Sequence, residues 1–321
     1  MFAALKKNRI RPGLTGICLD VGGVALASVD FGPERRSRDA QEAGTKRKPV
    51  LESCHYRAYA GAASPAEVLQ QLSAEYDLAH ARCTTLLAGD QYKLLLTETP
   101  EVNDDELAST LRWSIKDLVD TPVEELTIET FKAPDTANSA MTYVVAARNT
   151  AIRELVQQLT VTELALQIID IEELAQRNIA ALLDEDEEGV ALLRLSQGSG
   201  LITISRQGEL YFSRKLAVGA EAVHEQDGSF GAFDGLILDL QRALDYYERQ
   251  FRQTPIRHIY IAALPEDNPA FNQAIADNVG ITPKNLDLQQ LMHCRNGLPE
   301  DWQCRNFLAI GAALRVEEQA A

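Results

Sequence analysis

The sequence lacks most of the signatures by which a catalytic or metal-binding protein shows itself. Its five cysteines (Cys18, Cys54, Cys83, Cys294, Cys304) form no CxxC pair. Neither a disulfide framework nor a zinc site is expected, and the thiols read as small buried apolar groups. The histidines (His55, His80, His224, His258, His293) are isolated, with no HxxxH spacing to hold a metal. Ser28, Ser196 and Ser199 lack a GxSxG elbow. His293-Cys294 beside Cys304 carries no further sign of a nucleophile. No apolar stretch reaches the roughly 18 residues a membrane span needs. The basic segment Met1–Arg11 has no apolar run behind it, so a signal peptide is not expected and the cytosol is the expected compartment.

Positive charge is also scarce. Asp and Glu number 47 against 31 Lys and Arg, for a net charge of −16, which argues against nucleic acid as a partner. The deficit is uneven. Residues 1–48 hold ten cations (Lys6, Lys7, Arg9, Arg11, Arg35, Arg36, Arg38, Lys46, Arg47, Lys48) against five acids, a balance of +5 that leaves −21 for the rest. A solvated loop explains this stretch; a weak contact with an anionic lipid leaflet or an acidic partner surface is the sharper alternative.

What is present is a globular composition, 45% apolar and 24% charged over 321 residues, enough for two domains with their own cores. Leu14 to Phe31 reads as two strands around Asp20-Val-Gly-Gly23, whose glycines are free to take positive φ. Residues 32–49 read as a polar hairpin tip, and Val50–Ala60 as a third strand. Ser64-Pro65-Ala66-Glu67 opens a helix, with serine as cap and proline in the first turn. Val68, Leu69, Leu72 and Tyr76 share one face of it. Strands at Cys83–Leu87 and Lys93–Thr97 follow. A helix opened by Asn103 carries Leu107, Leu111, Ile115 and Leu118 as a stripe, and strands Leu126–Phe131 and Met141–Ala147 come after it. Strand, helix, strand, strand makes a compact unit able to sit as an insertion. A helix (Thr150–Leu159), a strand (Leu164–Ile169) and a long helix (Asp170–Leu183) return to a βα pattern. The acidic run Asp184–Glu188 opposes the helix dipole and is expected to end that helix as an exposed joint.

The pattern then repeats. Val190–Leu195, Leu201–Arg206 and Glu209–Lys215 are strands separated by Gly-containing turns. A helix (Ala232–Phe251), a strand (Ile256–Ala262), a helix (Asn268–Val279), a strand (Lys284–Leu288) and a closing helix (Arg305–Glu318) complete the chain. Two βββαβα halves with an insertion in the first describe an α/β protein of actin-like plan.

Four segments carry a family resemblance. Leu111-Arg-Trp-Ser-Ile-Lys-Asp-Leu-Val-Asp-Thr-Pro-Val-Glu-Glu125 resembles the PilM segment of arginine, tryptophan, helix, then proline before two acids. Ile169-Asp-Ile-Glu-Glu-Leu-Ala-Gln-Arg177 is similar to that family's aspartate-bearing strand end and helix. Leu238-Asp-Leu-Gln-Arg-Ala-Leu-Asp-Tyr-Tyr247 resembles its acid-x-x-arginine helix, and Phe307-Leu-Ala-Ile-Gly-Ala-Ala-Leu-Arg315 its terminal helix. Asp120 stands where PilM usually has proline, so the MshI branch, of the mannose-sensitive haemagglutinin pilus, is the nearer likeness.

The resemblance implies an actin-like ATPase fold of the FtsA/PilM type. Residues 1–80 and 149–185 would form the first domain, 81–148 the inserted subdomain and 186–304 the second domain, with 305–321 a helix returning to the first. It implies a cytoplasmic scaffold, peripheral at the inner-membrane face, within a type IV pilus assembly platform. Its partner would be a PilN-like cytoplasmic tail of a single-span membrane protein. It also implies an interdomain nucleotide cleft. There the first phosphate loop is met by Asp20, Gly22 and Gly23, but Val24, Ala25 and Leu26 replace hydroxyls and lysine. Arg194 stands where the second domain's aspartate is expected, removing support for magnesium and for an attacking water. Gly198 and Gly200 retain a possible phosphate turn. Ala262 and Ala263 replace the Gly-Gly pair that lets backbone approach adenine. A degenerate site, with no hydrolysis and no resident cofactor, is the expectation; an ATP/Mg-binding switch with weak hydrolysis is the alternative. On the insertion, Arg112, Trp113 and Lys116 are the candidate partner contacts, although Trp113, like Phe131, also reads as the insertion's own core.

Overall fold

The computed structural model describes residues 13–31, 48–61, 64–136, 139–224, 233–262, 264 and 268–316. The basic stretch 35–48 therefore lies outside the described residues except for Lys48, whose ammonium bonds the Gln290 carbonyl.

The first half runs β1 (Leu14–Leu19), β2 (Gly23–Asp30), β3 (Val50–Ala58), α1 (Pro65–Glu75), β4 (Arg82–Leu86), β5 (Tyr92–Glu98), α2 (Asp104–Ser114), β6 (Leu126–Lys132), β7 (Met141–Arg148), α3 (Asn149–Thr160), β8 (Ala165–Asp170) and α4 (Glu172–Ala180). The second runs β9 (Val190–Ser196), β10 (Ser199–Arg206), β11 (Glu209–Leu216), α5 (Glu221–His224), α6 (Asp234–Phe251), β12 (His258–Ala262), α7 (Pro269–Val279), β13 (Lys284–Asn285), α8 (Leu288–Leu291), β14 (His293–Cys294) and α9 (Glu300–Ala313). None of the described helices is long and apolar enough to cross a membrane.

Two sheets share one plan. Their orders are β14-β3-β2-β1-β4-β8 and β11-β10-β9-β12-β13. In each, three antiparallel strands form one side and parallel strands the other. The insertion is a third sheet, β5-β7-β6, backed by α2. β4 is not part of it. The sequence reading placed residues 82–86 inside the insertion, but β4 pairs in parallel with β1 and β8, so the insertion begins after it. The return to the first sheet also comes earlier than 305: β14 already pairs with β3, and α9 starts at Glu300.

Local rules show clearly at α1. Ser64 caps it through Glu67 N–H, Glu67 answers through Ser64 N–H at 2.8 Å, and Pro65 opens it. α4 ends at Ala180, short of the expected Leu183, and the acidic run after it forms a short 3-10 turn with Asp184, Glu187 and Glu188 exposed, as expected, but Glu185 and Asp186 drawn inward. Asp186 is buried and accepts from Gly208 N–H at 2.7 Å. Glu185 Oε1 accepts from Lys284 Nζ at 2.8 Å and from the Tyr260 hydroxyl at 2.9 Å. Chiefly through the Lys284 bond, its carboxyl is held down to about 2 from 4.5. A depressed carboxyl stabilises the fold fully above its unfolded pKa and loses that contribution as pH falls through the folded one. Glu185→Gln is therefore expected to be less stable than the parent near neutrality and to close that gap between about pH 4.5 and about pH 2, as read from urea midpoints.

The two halves exchange their last helices. α4 leaves the first sheet and packs on the second, where buried Gln176 donates to Leu192 O (2.7 Å), Leu201 O (3.3 Å) and Thr203 Oγ1 (2.9 Å). α9 packs across β1, β2, β3 and β4. A Cβ on Gly16 would stand 1.9 Å from Ala309 O, so β1 and α9 approach as only glycine allows. α4 and α9 touch at Ala175 and Gly311, and Asn178 Nδ2 donates to Gly311 O at 3.0 Å. One apolar core joins Ala25, Val29 and Leu51 of the first sheet to Leu192, Tyr260 and Ala262 of the second, with Phe307 and Ile310 of α9 between them.

Candidate functional site

The β1–β2 turn carries Asp20, Gly22 and Gly23. Val21 N–H bonds Asp20 Oδ1 at 2.7 Å, and Asp20 N–H bonds Gly23 O at 3.0 Å. Neither glycine takes positive φ, contrary to the sequence reading. Glycine is needed for space instead: a Cβ on Gly23 would lie 2.4 Å from Arg57 O and 2.8 Å from the Tyr56 hydroxyl. Val24, Ala25 and Leu26 are buried in the core and do not line a phosphate loop.

In the β9–β10 turn Gly198 does have the left-handed conformation, φ +73. Gly200 does not; a Cβ on it would stand 3.0 Å from Leu195 Cδ2 and 3.1 Å from Leu216 Cδ1. Arg194 lies in β9 in register with Ala262 of β12, and both are buried. Ala263 lies outside the described residues.

Arg194 is not a bare cation. Its Nη2 donates to Glu172 Oε2 at 2.5 Å, with side chains 7% and 18% exposed, while its Nε finds no partner. Glu172 and Glu173 form the first turn of α4, where the helix dipole favours carboxylates. Glu173 is buried and accepts from the Tyr92 hydroxyl at 2.5 Å. Lys215 Nζ stands 3.6 Å from Glu173 Oε1, donates to Gly89 O at 2.6 Å and sits 3.8 Å over the Tyr92 ring. Burial pushes the Glu173 carboxyl up against the pull of Lys215 and Tyr92. Cys18 neighbours this group: desolvation, then Asp20 and Glu172, push its thiol up, with Arg194 opposing. It is a poor nucleophile. The cleft thus joins α4 of the first half, Tyr92 of the insertion, and β9 and β11 of the second half through charge pairs. Chemically this is a clamp between the halves, in which a buried cation is matched to a carboxylate.

The insertion residues lie apart from this cluster. Arg112 Nη1 donates to Val123 O (2.5 Å) and Leu126 O (2.8 Å), so its guanidinium fastens the entry to β6. Trp113 is 60% exposed and Leu118 53%, so Trp113 is surface and not the insertion's core. Phe131 is partly buried and stacks on Tyr143 at 5.0 Å. Lys116 is exposed. Sequence reasoning passed over Tyr92, Glu172, Glu173, Lys215 and Glu221. The signal for Glu172, Glu173 and Lys215 was two adjacent acids opening a helix, with cations on two separate strands, Arg194 and Lys215, to match them; Tyr92 carried none.

No family model matches the sequence, and no curated protein does. Among solved structures, the PilM-PilN type IV pilus biogenesis complex superposes with a TM-score of 0.71 over 95% of this chain and 98% of that one, at 16% identity. The fold is that of the actin-like ATPases. A Bacteroides thetaiotaomicron protein of actin-like ATPase fold and unknown function agrees, with a TM-score of 0.51, 9% identity, and 91% and 96% of the two chains covered. In the actin-like fold of this chain, the five strands shared by each half, β3-β2-β1-β4-β8 and β11-β10-β9-β12-β13, follow the same order. That order is the physical trace of the duplication read from the sequence.

Proposed function

We propose that this protein is a non-hydrolysing scaffold of a type IV pilus assembly platform, cytoplasmic and peripheral at the inner-membrane face. It would hold the cytoplasmic tail of a PilN-like single-span membrane protein. Its likeness in fold to a PilM-PilN complex, over nearly the whole of both chains, supports the scaffold half of this reading. The observation that carries the non-catalytic half is the Arg194–Glu172 pair at the strand end where an aspartate would serve magnesium. The narrower assignment to an MSHA-type system, with MshI as its counterpart, rests on Asp120, which here pairs with Lys93 at 2.6 Å.

The insertion is the tail-binding element in this reading. β5 is one edge of its sheet, and an edge strand offers main-chain hydrogen bonds to an extended peptide. Exposed Trp113 and Lys116 supply an apolar anchor and a cation nearby, while Arg112 acts by holding the local fold. The test is capture of the protein by immobilised N-terminal tails of the platform's single-span proteins. Trp113→Ala with Lys116→Ala should weaken capture about tenfold or more, the scale of an interface hot spot. Capture unchanged by the double substitution would remove the insertion surface from the proposal. A parallel titration with ATP and magnesium decides the cleft: micromolar affinity lost on Gly22→Val would replace the scaffold by an ATP-dependent switch.

A further inference from the structure

The β9–β10 turn is covered by the chain's own segment 218–221. Ala220 N–H donates to Ser196 O at 2.9 Å. Gly219 runs so close that a Cβ there would stand 2.0 Å from Ser196 O and 2.6 Å from Ser199 N. The next carboxylate reaches back over the turn. Glu221 Oε2 accepts from Gly198 N–H at 2.9 Å, and Oε1 accepts from Gly219 N–H at 3.3 Å. The Gly198 bond first, with the other backbone N–H groups, holds this carboxyl below its usual range although it is exposed.

A glycine N–H presented from a left-handed turn is the donor that phosphate oxygens take in anion-binding loops. At Gly198 that donor is already matched, and by an anion. Two residues before the turn on the same strand, Arg194 is matched too, by Glu172. Both of these groups, each suited to phosphate, are thus matched by a carboxylate of this chain. We infer that Glu221 is an intramolecular occupant of a latent oxyanion site at the Gly198 turn, excluding nucleotide phosphates from the cleft. The inference rests on the cleft being non-hydrolysing, as proposed above, and adds what fills it.

Two physical effects make such an occupant effective. Tethered on the same chain, 23 residues from Gly198, and held over the turn by the Ala220–Ser196 bond, the carboxylate competes at an effective concentration no free ligand matches at ordinary levels. Its charge also repels an incoming phosphate at short range. Because Glu221 is exposed and packs no core, its removal should leave the fold intact.

The test follows Gly198 and Gly219 amide resonances during titration with inorganic triphosphate, and separately with ATP and magnesium. In the parent protein these signals should stay fixed into the millimolar range. In Glu221→Ala they should shift saturably with triphosphate, with an apparent affinity at least about tenfold above the parent's. Gly219→Val, which forces the covering segment off the turn, should give the same gain in binding by a second route. If triphosphate moves neither glycine signal in Glu221→Ala, the occupant idea fails while the non-hydrolysing cleft stands. If the parent itself binds ATP in the micromolar range with shifts at Gly198, the cleft reading fails and takes this inference with it.

Discussion

Arg194→Leu is expected to lose about 3–5 kcal/mol of unfolding free energy, the usual result of breaking a buried ion pair from one side. The substitution leaves Glu172 mostly buried beside Glu173 and without its ion-pair partner. Glu172→Leu alone should cost a similar amount, because it strands a guanidinium that is 6% exposed. The double variant should recover most of the loss, since an apolar pair of similar volume avoids the desolvation of both ions. Urea unfolding followed by far-UV circular dichroism reads all four corners of the cycle. A double variant whose loss equals the sum of the two single losses would mean that the two charges are not coupled. The clamp description of the cleft would then fail.

Gly311→Ala is the second large effect. A Cβ at that position would lie 2.4 Å from Ala175 O and 3.0 Å from the Ala175 side chain, and α4 cannot retreat because Gln176 fixes it to β9 and β10. Overpacking of this kind costs on the order of 3 kcal/mol, more where backbone must move. Gly235→Ala is the control. It too is a helical glycine, but nothing lies within 4 Å of its added Cβ, so helix propensity alone should act and stability should rise by about 0.5–1 kcal/mol. Equal behaviour of the two variants would show that α4 and α9 are not in the tight contact described.

Much of the fold was legible because its rules are local. Ser64-Pro65, the strand pairs around the two glycine turns, and the apolar stripe of α6 each follow from a few adjacent residues. β4 was misplaced because its partners, β1 and β8, are remote in sequence, and nothing within Arg82–Leu86 tells a central parallel strand from the start of an inserted unit. The acidic run was legible as exposed at Asp184, Glu187 and Glu188 but not at Glu185 and Asp186, because the groups that hold those two, Lys284 and Gly208 N–H, lie at other points of the chain. In the cleft, Arg194 was legible as a departure from an acidic pattern. Its partner was not, since Glu172 looks like any first-turn acid of a helix. Trp113 could be read either as a partner contact or as core, since large aromatics usually are core; only the packed insertion, with Leu111 and Ile115 filling its interior, decides for the surface.

The exchange of α4 and α9 bears on how the protein can be made. α1 and α3 cover one face of the first sheet, but the other is not covered until α9 (Glu300–Ala313) has left the ribosome, and α4 has no surface to rest on until β9 and β10 exist. Domains of ordinary chains fold one after another as they emerge. Here the N-terminal half must wait with one apolar face of its sheet uncovered while nearly all of the second half is synthesised. Such long-range closure is slow and leaves nascent strands open to mispairing. A cell producing this protein is thus committed to shielding its first half during translation, and neither half could be spliced out as a self-sufficient module.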